Sequence, residues 1–422
     1  MHFLFLTHYF PPEVNAPASR TFENARRWVK AGHRVTVLTC VPNHPNGVVQ
    51  QGFSNRHLWQ WDELEGVRIL RVWTFISPNK GIFKRIINYL SYFISAVLLC
   101  NLIRKVDLVI STSPQFFCGL AGFPVSRLKS CPWIVEIRDL WPESISAVGA
   151  IRQKGTLNML VRMESFMYQR PDHVVPVTHS FKQHIMACNV PEQNITVITN
   201  GADLDKYAPQ PKDNPTRARL GLQGKFVVSY IGTHGMAHSL ETLLQAAQIT
   251  AADSSVVYLL VGSGAERDNL LNIKEKLQLT NVIMLPQQPK ETIAEFIAAS
   301  DVCLVLLRDT ELFKTVIPSK MFEAMAMQRP IILGVRGESQ IIVEDGQFGL
   351  CIAPENAREL AQAVMRLKAD VALCETLGRN GRALVVQSYS RDVLAKVYQG
   401  ILERTASRRI DTQAKANTFH KK

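Results

Sequence analysis

The chain has 422 residues with a formal net charge of +12, and 46% hydrophobic against 20% charged residues. That is ordinary globular usage, which excludes wholesale disorder and collagen-like repeats, and at about 100–200 residues per domain it asks for two or three domains. The eight cysteines stand singly, with no C-x-x-C and no Cys/His cluster, so neither a zinc site nor a disulfide framework is expected, and scattered thiols fit a reducing compartment.

The charge is uneven. Residues 1–200 carry 21 Lys/Arg against 12 Asp/Glu, residues 201–401 carry 21 against 22, and residues 402–422 carry 6 against 2. A basic first half and tail on a neutral second half suggest that one half meets an anionic surface or substrate, although solubility explains the same excess more plainly. Nucleic acid is not expected as a partner: aromatics are 8% and no recognisable nucleic-acid module is present.

In chain order, MHFLFLTHYFPPE has neither a basic n-region nor a small-residue cleavage site, and reads as a strand and a Pro-rich turn rather than a signal peptide. Ser19 is placed to cap a helix over RTFENARRWVKA, which Gly32 ends. RVTVLT (34–39), VRILRVW (67–73), DLVIST (107–112), WIVEI (133–137) and HVVPVT (173–178) follow as strands between helical stretches. The pattern restarts at KFVVSYIG (225–232) and continues through VVYLLVG, NVIML, DVCLVLL and PIIL. Strands alternating with helices argue for parallel sheets. NGADLDKYAPQPKDNPT (200–216) is the expected polar linker between two doubly wound α/β domains, whose strand ends would face one cleft.

Residues 86–103, IINYLSYFISAVLLCNLI, carry no charge and are flanked by Lys80, Lys84, Arg85, Arg104 and Lys105. Three readings stand: a core helix, an interfacial helix and a membrane span. Asn88, Ser91, Ser95 and Asn101 weigh against a span, whereas the basic flanks with Tyr89, Tyr92 and Phe93 suit a headgroup interface.

Three constellations carry chemistry. In Pro318-Ser319-Lys320, followed by Glu323, a helix start would offer N–H groups and a point charge to a phosphate, with Glu323 accepting from a ribose diol. The same residues also fit a capped surface helix with a salt bridge. Gly232, Thr233, Gly235 and His238 follow a strand, and Gly262 through Arg267 follow the next. Two glycine turns at successive strand ends let a phosphate approach backbone N–H groups, or are ordinary tight connections. Neither matches the dinucleotide fingerprint. Glu136, Arg138 and Asp139, with Trp141-Pro142-Glu143 behind them, close the strand WIVEI. They either face a cleft or begin a helix capped by Asp139 or Ser144. His2, His33 and His57 lack metal spacing and read as structural or surface residues.

With HYFPPEVNAPASR, RDLWPES, ITNGADLDKY, YIGTHG, LLVGSGAER and IPSKMFEAMAMQRPII on the page, residues 1–400 resemble a retaining glycosyltransferase of family 4 with the GT-B fold. HYFPPE and RDLWPES look like the bacterial branch that builds O-antigen or capsule. The resemblance implies two Rossmann-like domains facing across a cleft. Residues 1–200 would be the acceptor side, with a membrane-associating segment at 80–105, and 201–385 would bind the nucleotide-sugar. Residues 386–407 would form a helix packing back on the first domain, and 408–422 a basic flexible tail.

It further implies that Glu323 faces the nucleotide ribose or the donor, with Ser319 and Lys320 beside the diphosphate. Gly232, Thr233 and Gly235 would form the diphosphate loop, joined by His238, Gly262 and Arg267. Asn15 and Ala16 would approach donor and acceptor, and Asp139 and Arg138 would serve the chemistry. The implied reaction moves a sugar, with retention, from a UDP-sugar (an N-acetylated amino sugar is one candidate) to a polyprenyl-diphosphate-linked saccharide. No metal or other cofactor is implied. The place is the cytoplasmic face of an anionic membrane. Three departures stand out: Thr315 where the first glutamate of the family's E-x7-E motif belongs, Thr233 and His238 for the usual basic pair, and Arg138 where many members carry a loop histidine. Thr315 and the missing basic pair motivate one alternative, a membrane-associated scaffold with a degenerate site; among enzymes the alternative is another GT-B member, a UDP-sugar 2-epimerase.

Overall fold

The computed structural model describes every residue except 14, 45–46, 77–81, 114, 141–153 and 420–422, and only the backbone of 82–83, 154, 156–157 and 409–419. The chain divides into two compact units, Met1–Thr199 with Leu394–Lys422, and Asn200–Val393. Each is a Rossmann-like α/β domain built on one sheet.

The first unit has strands β1 (His2–Leu6), β2 (Arg34–Cys40), β3 (Trp59–Leu64), β4 (Val67–Val72), β5 (Leu108–Thr112), β6 (Trp133–Ile137) and β7 (His173–Pro176), in the order β3-β4-β2-β1-β5-β6-β7. All pairings are parallel except β3 with β4. β1 is HFLFL, buried at every position, as a parallel strand covered by helices on both faces must be. β3 is absent from the sequence reading. Its WQWDEL lies on an exposed edge with no apolar run, and it is joined to β4 by Glu65 and Gly66, both at positive φ, the tight hairpin turn that a right-twisted pair requires.

The first helix runs Ala16–Lys30, so its cap is Asn15 rather than Ser19: the Asn15 side chain accepts from Ala18 N at 2.8 Å. Starting the helix a turn earlier satisfies an amide that the later start would leave open. Trp28 is buried at the core's centre against Phe3, Phe5 and Tyr398, its indole N–H donating to Ala395 O. Tyr398, Ile401, Leu402 and Ala406 thus complete this core from the last helix. That helix extends from Arg391 to Phe419, which corrects the expected flexible tail at 408–422. Residues 386–393 belong to the second unit, where Ala202 N donates to Tyr389 O and Arg391 N to Ala202 O.

The apolar segment forms the helix Ile82–Leu99. Among the described residues it is the one helix long and apolar enough to cross a membrane, over Lys84–Leu102. It is attached along one face: Asn88, Tyr89, Tyr92, Ala96 and Cys100 are buried, and the Tyr92 hydroxyl donates to Leu38 O of β2 at 2.8 Å. The helix is thus fastened to the sheet along one face, while Ile86, Leu90, Ile94 and Leu98 on the rest of its surface are exposed.

The second unit has β8 (Phe226–Ile231), β9 (Val256–Val261), β10 (Val282–Leu285), β11 (Val302–Leu306), β12 (Ile331–Gly334) and β13 (Gly349–Cys351), all parallel, in the order β10-β9-β8-β11-β12-β13. The order reverses between β8 and β11, where open α/β sheets bind ligands at the strand C-termini. The expected linker is corrected in part. Ala202 and Tyr207 are buried in this unit's core, and Asn214 caps a helix at Pro215–Leu220 through a bond from Arg217 N. The polar composition of the stretch concealed two apolar anchors.

Candidate functional site

The glycine turns of the second unit pack on one another. Gly232 (φ +147) ends β8 and Gly262 (φ +153) ends β9, and a Cβ on Gly262 would lie 1.9 Å from Gly232 O. A Cβ on Gly264 would lie 2.3 Å from His234 O. His234 N donates to Ser263 O, and Glu266 N to His234 O, both at 2.9 Å. Gly262 and Gly264 are therefore required by contact between two loops, which accounts for these glycines without any ligand. Gly235 differs: its Cβ would meet nothing closer than 3.5 Å. The fold would therefore accept a side chain there at ordinary contact distance from Thr233 and His238.

Lys320 opens the helix Lys320–Ala326. Pro318 lies outside it, two residues before the start, and Ser319 occupies the cap position without a side-chain bond, so the expected Pro-initiated helix start is corrected. The helix is held by Met321, Phe322, Ala324 and Met325 in the core, which leaves Lys320 and Glu323, three apart, on its other face. They line one cavity of about 20 Å³.

The Lys320 ammonium is buried without a hydrogen-bond partner, 3.7 Å from the centroid of the Tyr230 ring, and a Cβ on Gly232 would come within 3.0 Å of it. Burial holds its pKa down at about 7, with Glu323 pulling it back up. His234 is wholly buried, and neither ring nitrogen has a partner. Burial, then Arg267 and Lys320, hold it at about 4, so it is neutral at pH 7. His238 lies beside the Tyr230 ring with Nδ1 3.4 Å from Leu306 O, and burial lowers it likewise to about 4. Tyr230 donates to Thr233 O at 2.9 Å and pins the loop. Arg267 donates to Gly262 O and Leu285 O, and so braces the second loop.

Burial raises the Glu323 carboxyl, while Arg391, Lys320, Lys206 and a hydrogen bond from Tyr207 pull it down. Tyr207, inside the expected linker, is therefore a member of this cluster that the sequence reading missed. So are Tyr230 and His234, the latter inside a motif that was read for its glycines. Thr315 closes its own turn by donating to Leu312 O at 2.8 Å.

In the first unit, Glu136 is fully buried and paired with Arg20 at 3.2 Å, and Thr112 donates to the same oxygen. Arg20 also donates to Ile198 O and Thr199 O. Glu136 is thus structural, which corrects its reading as a cleft-facing acid. Arg138 N donates to Ser113 Oγ, and its side chain lies 3.8 Å from Glu136. Burial pushes Asp139 up to about 6, against the pull of Arg138, which puts a proton acceptor within reach of neutral pH. Asn15 serves as a helix cap and Ala16 is the first residue of that helix. Trp141, Pro142, Glu143, Ser144 and Lys80 lie outside the described residues. Among the described residues no group of three His, Cys, Asp or Glu side chains is placed to hold a metal ion.

Two Rossmann-like domains, one with paired glycine loops beside an unpartnered buried ammonium, define the GT-B class. Two family models tile the chain: "Glycosyl transferase 4-like domain" matches residues 15–201 and "Glycosyl transferases group 1" matches residues 213–384. The chain is a family 4-type glycosyltransferase.

It is 24% identical over 245 residues to the capsular polysaccharide biosynthesis glycosyltransferase CapM of Staphylococcus aureus, covering 56% of this chain and 62% of that protein. The chain spans about half the length of the curated relatives it matches in this way. An uncharacterized glycosyltransferase of Methanocaldococcus jannaschii is 25% identical over 403 residues, 94% of this chain and 96% of that one. Anabaena HepE, solved in complex with UDP-glucose, has the same fold, with a TM-score of 0.71 at 17% identity over 96% of this chain and all of that one.

Proposed function

We propose that this protein transfers a sugar, with retention, from a UDP-sugar to a polyprenyl-diphosphate-linked saccharide at an anionic membrane surface, in assembly of an O-antigen or capsule. One observation carries the donor half: the Lys320 ammonium, buried beside Gly232 with no acceptor. An unpaired buried cation is costly and is retained where a ligand supplies the missing anion. A departing nucleoside diphosphate carries about two to three negative charges, which a buried cation and open backbone N–H groups stabilise as the glycosidic bond breaks.

Gly235 leaves room for that group, and Glu323, held by Tyr207, is the acceptor for a ribose or sugar hydroxyl. Asp139 is assigned to receive the acceptor's proton and Arg138 to offset charge beside it. The UDP-glucose bound by HepE supports the donor class, and the capsular role of CapM supports the product class. No metal or other cofactor enters the scheme.

The experiment is incubation of the protein with UDP-glucose or UDP-N-acetylglucosamine and a polyprenyl-diphosphate-linked monosaccharide. Sugar appearing in the lipid phase with release of UDP is expected. Conversion of free UDP-sugar at C2 without acceptor would mean an epimerase, and absence of UDP binding by calorimetry a degenerate scaffold.

A further inference from the structure

The first unit carries an apolar groove of about 610 Å³ between three helices, Ile82–Leu99, Phe116–Lys129 and Lys154–Gln169. Its walls are Leu90 and Phe93 from the first, Phe117 and Phe123 from the second, and Met163 and Phe166 from the third. The volume is that of a small-molecule site. The edge-to-face pair of Phe123 and Phe166, 5.0 Å between centroids, forms part of the wall.

Among the described residues the only charged one lining it is Arg162. Arg127 stacks over the Phe123 ring at 5.4 Å and Arg170 over the Phe166 ring at 5.3 Å, so two further guanidiniums stand against rings of the groove wall. Among the described residues no acidic one lines the groove; Glu164, on the same helix, is buried and holds the Tyr168 hydroxyl.

A second feature adjoins it. The helix that supplies Leu90 exposes a row of large apolar side chains at every fourth position: Ile86 40%, Leu90 38%, Ile94 54%, Leu98 68% and, just beyond its end, Leu102 40%. Each is one turn from the next, so the row forms a continuous apolar stripe that winds by about 40° per step around the helix. Lys84 and Arg85 precede the row, and Arg104 and Lys105 follow it. An apolar stripe between cations is the composition that lies in a headgroup interface.

We propose that the groove holds one hydrocarbon chain of an anionic phospholipid, its phosphodiester against Arg162, while the stripe rests in the surrounding headgroups. The groove deepens the membrane part of the proposed function and rests on it. Its volume of about 610 Å³ between three helices gives a hydrocarbon chain apolar walls, whereas the stripe alone would only adsorb. Arg162, the one charged residue lining the groove among the described residues, matches a phosphodiester of charge minus one, since Arg127 and Arg170 are engaged on the Phe123 and Phe166 rings.

The test is calorimetry of the full chain with lysophosphatidylglycerol below its critical micelle concentration, so that no surface is present. One lipid per chain is expected, with lysophosphatidylcholine binding several-fold more weakly. Leu90→Glu and Met159→Glu change exposed positions lining the groove, and are expected to weaken lysolipid binding about tenfold or more by putting a charge against the chain. Leu98→Glu, on the stripe but not among the groove-lining residues, keeps lysolipid binding and loses partition onto phosphatidylglycerol vesicles.

Wild-type affinity in both groove variants overturns the proposal, as does equal binding of the neutral lysolipid. Displacement of the lysolipid by farnesyl diphosphate at lower concentration would assign the groove to a prenyl chain and equally overturn it. UDP affinity is read on the same preparations. Retained UDP binding without lysolipid binding ends the groove assignment alone, and the reverse ends the donor reading alone.

Discussion

Lys320→Met keeps the aliphatic stem and removes the charge, and the structure gives opposite signs for its effects on folding and on binding. In the free protein the ammonium has the Tyr230 ring at 3.7 Å and no hydrogen-bond acceptor. An unpaired buried polar group costs about 1–3 kcal/mol and a cation–π contact returns about 0.5–2. The variant is therefore as stable as wild type or more so, by up to about 2 kcal/mol, a melting shift of up to several degrees.

A charge-assisted bond to a diphosphate contributes about 1.5–3 kcal/mol, so UDP affinity falls about 10–150-fold. The pH dependence separates the effects further. Burial holds the Lys320 pKa at about 7, so the charged form that attracts UDP is lost as pH rises through 7. Stability moves the other way: between about 7 and the unfolded value near 10.4 the unfolded chain holds a proton that the folded chain lacks, and stability rises with pH. The assay is calorimetric titration of UDP into both proteins at about pH 6 and about pH 8.5, because the ligand's own titration cancels in the difference. Wild type loses affinity at the higher pH relative to the variant. A variant that binds UDP as wild type does, with the same pH dependence, refutes the reasoning.

Other substitutions probe the neighbouring parts. Gly235→Ala meets no atom closer than 3.5 Å, so thermal stability stays within about 0.5 kcal/mol while UDP affinity falls; unchanged affinity means that the open position serves no ligand. Gly262→Ala forces a Cβ to 1.9 Å from Gly232 O, and lowers the second unit's stability by more than about 2 kcal/mol along with UDP binding, both read by thermal denaturation with and without UDP. Glu323→Ala lowers sugar transfer at least about tenfold, or ~1.4 kcal/mol of barrier, with circular dichroism unchanged; full activity removes Glu323 from the site. Arg20→Met removes the nearer of two guanidiniums from the fully buried Glu136 carboxylate, leaving Arg138 at 3.8 Å, and costs up to about 3–5 kcal/mol, seen as earlier melting.

The strands were legible where burial made them continuous apolar runs, as in HFLFL, WIVEI and VVYLLV. β3 was not, because an edge strand carrying Asp62 and Glu63 has no such run, although its Glu65-Gly66 turn was a usable signal. Asn15 was passed over as a cap because Ser19 offered the same chemistry one turn later, and the choice depends on which amide is left open.

In the site, Lys320 and Glu323 were found from their spacing on one helix. Tyr207 was not, since its contact with Glu323 is made across more than a hundred residues of chain. His234 was hidden by the glycines on either side of it. The glycines fit either phosphate contacts or tight connections by sequence; loop-on-loop packing accounts for Gly262 and Gly264, whereas Gly235 would accept a Cβ at ordinary contact distance. Glu136 misled for a related reason: a carboxylate at a strand's end looks like a site residue until Arg20 is seen to neutralise it.

The decisive measurement is a crystal structure of the protein with UDP bound. Diphosphate oxygens within hydrogen-bond distance of Lys320 Nζ, with a phosphate against the backbone at Gly235, are expected. UDP seated elsewhere, with the ammonium still resting on Tyr230 and lacking an anion, would contradict the donor assignment and the mechanism built on it.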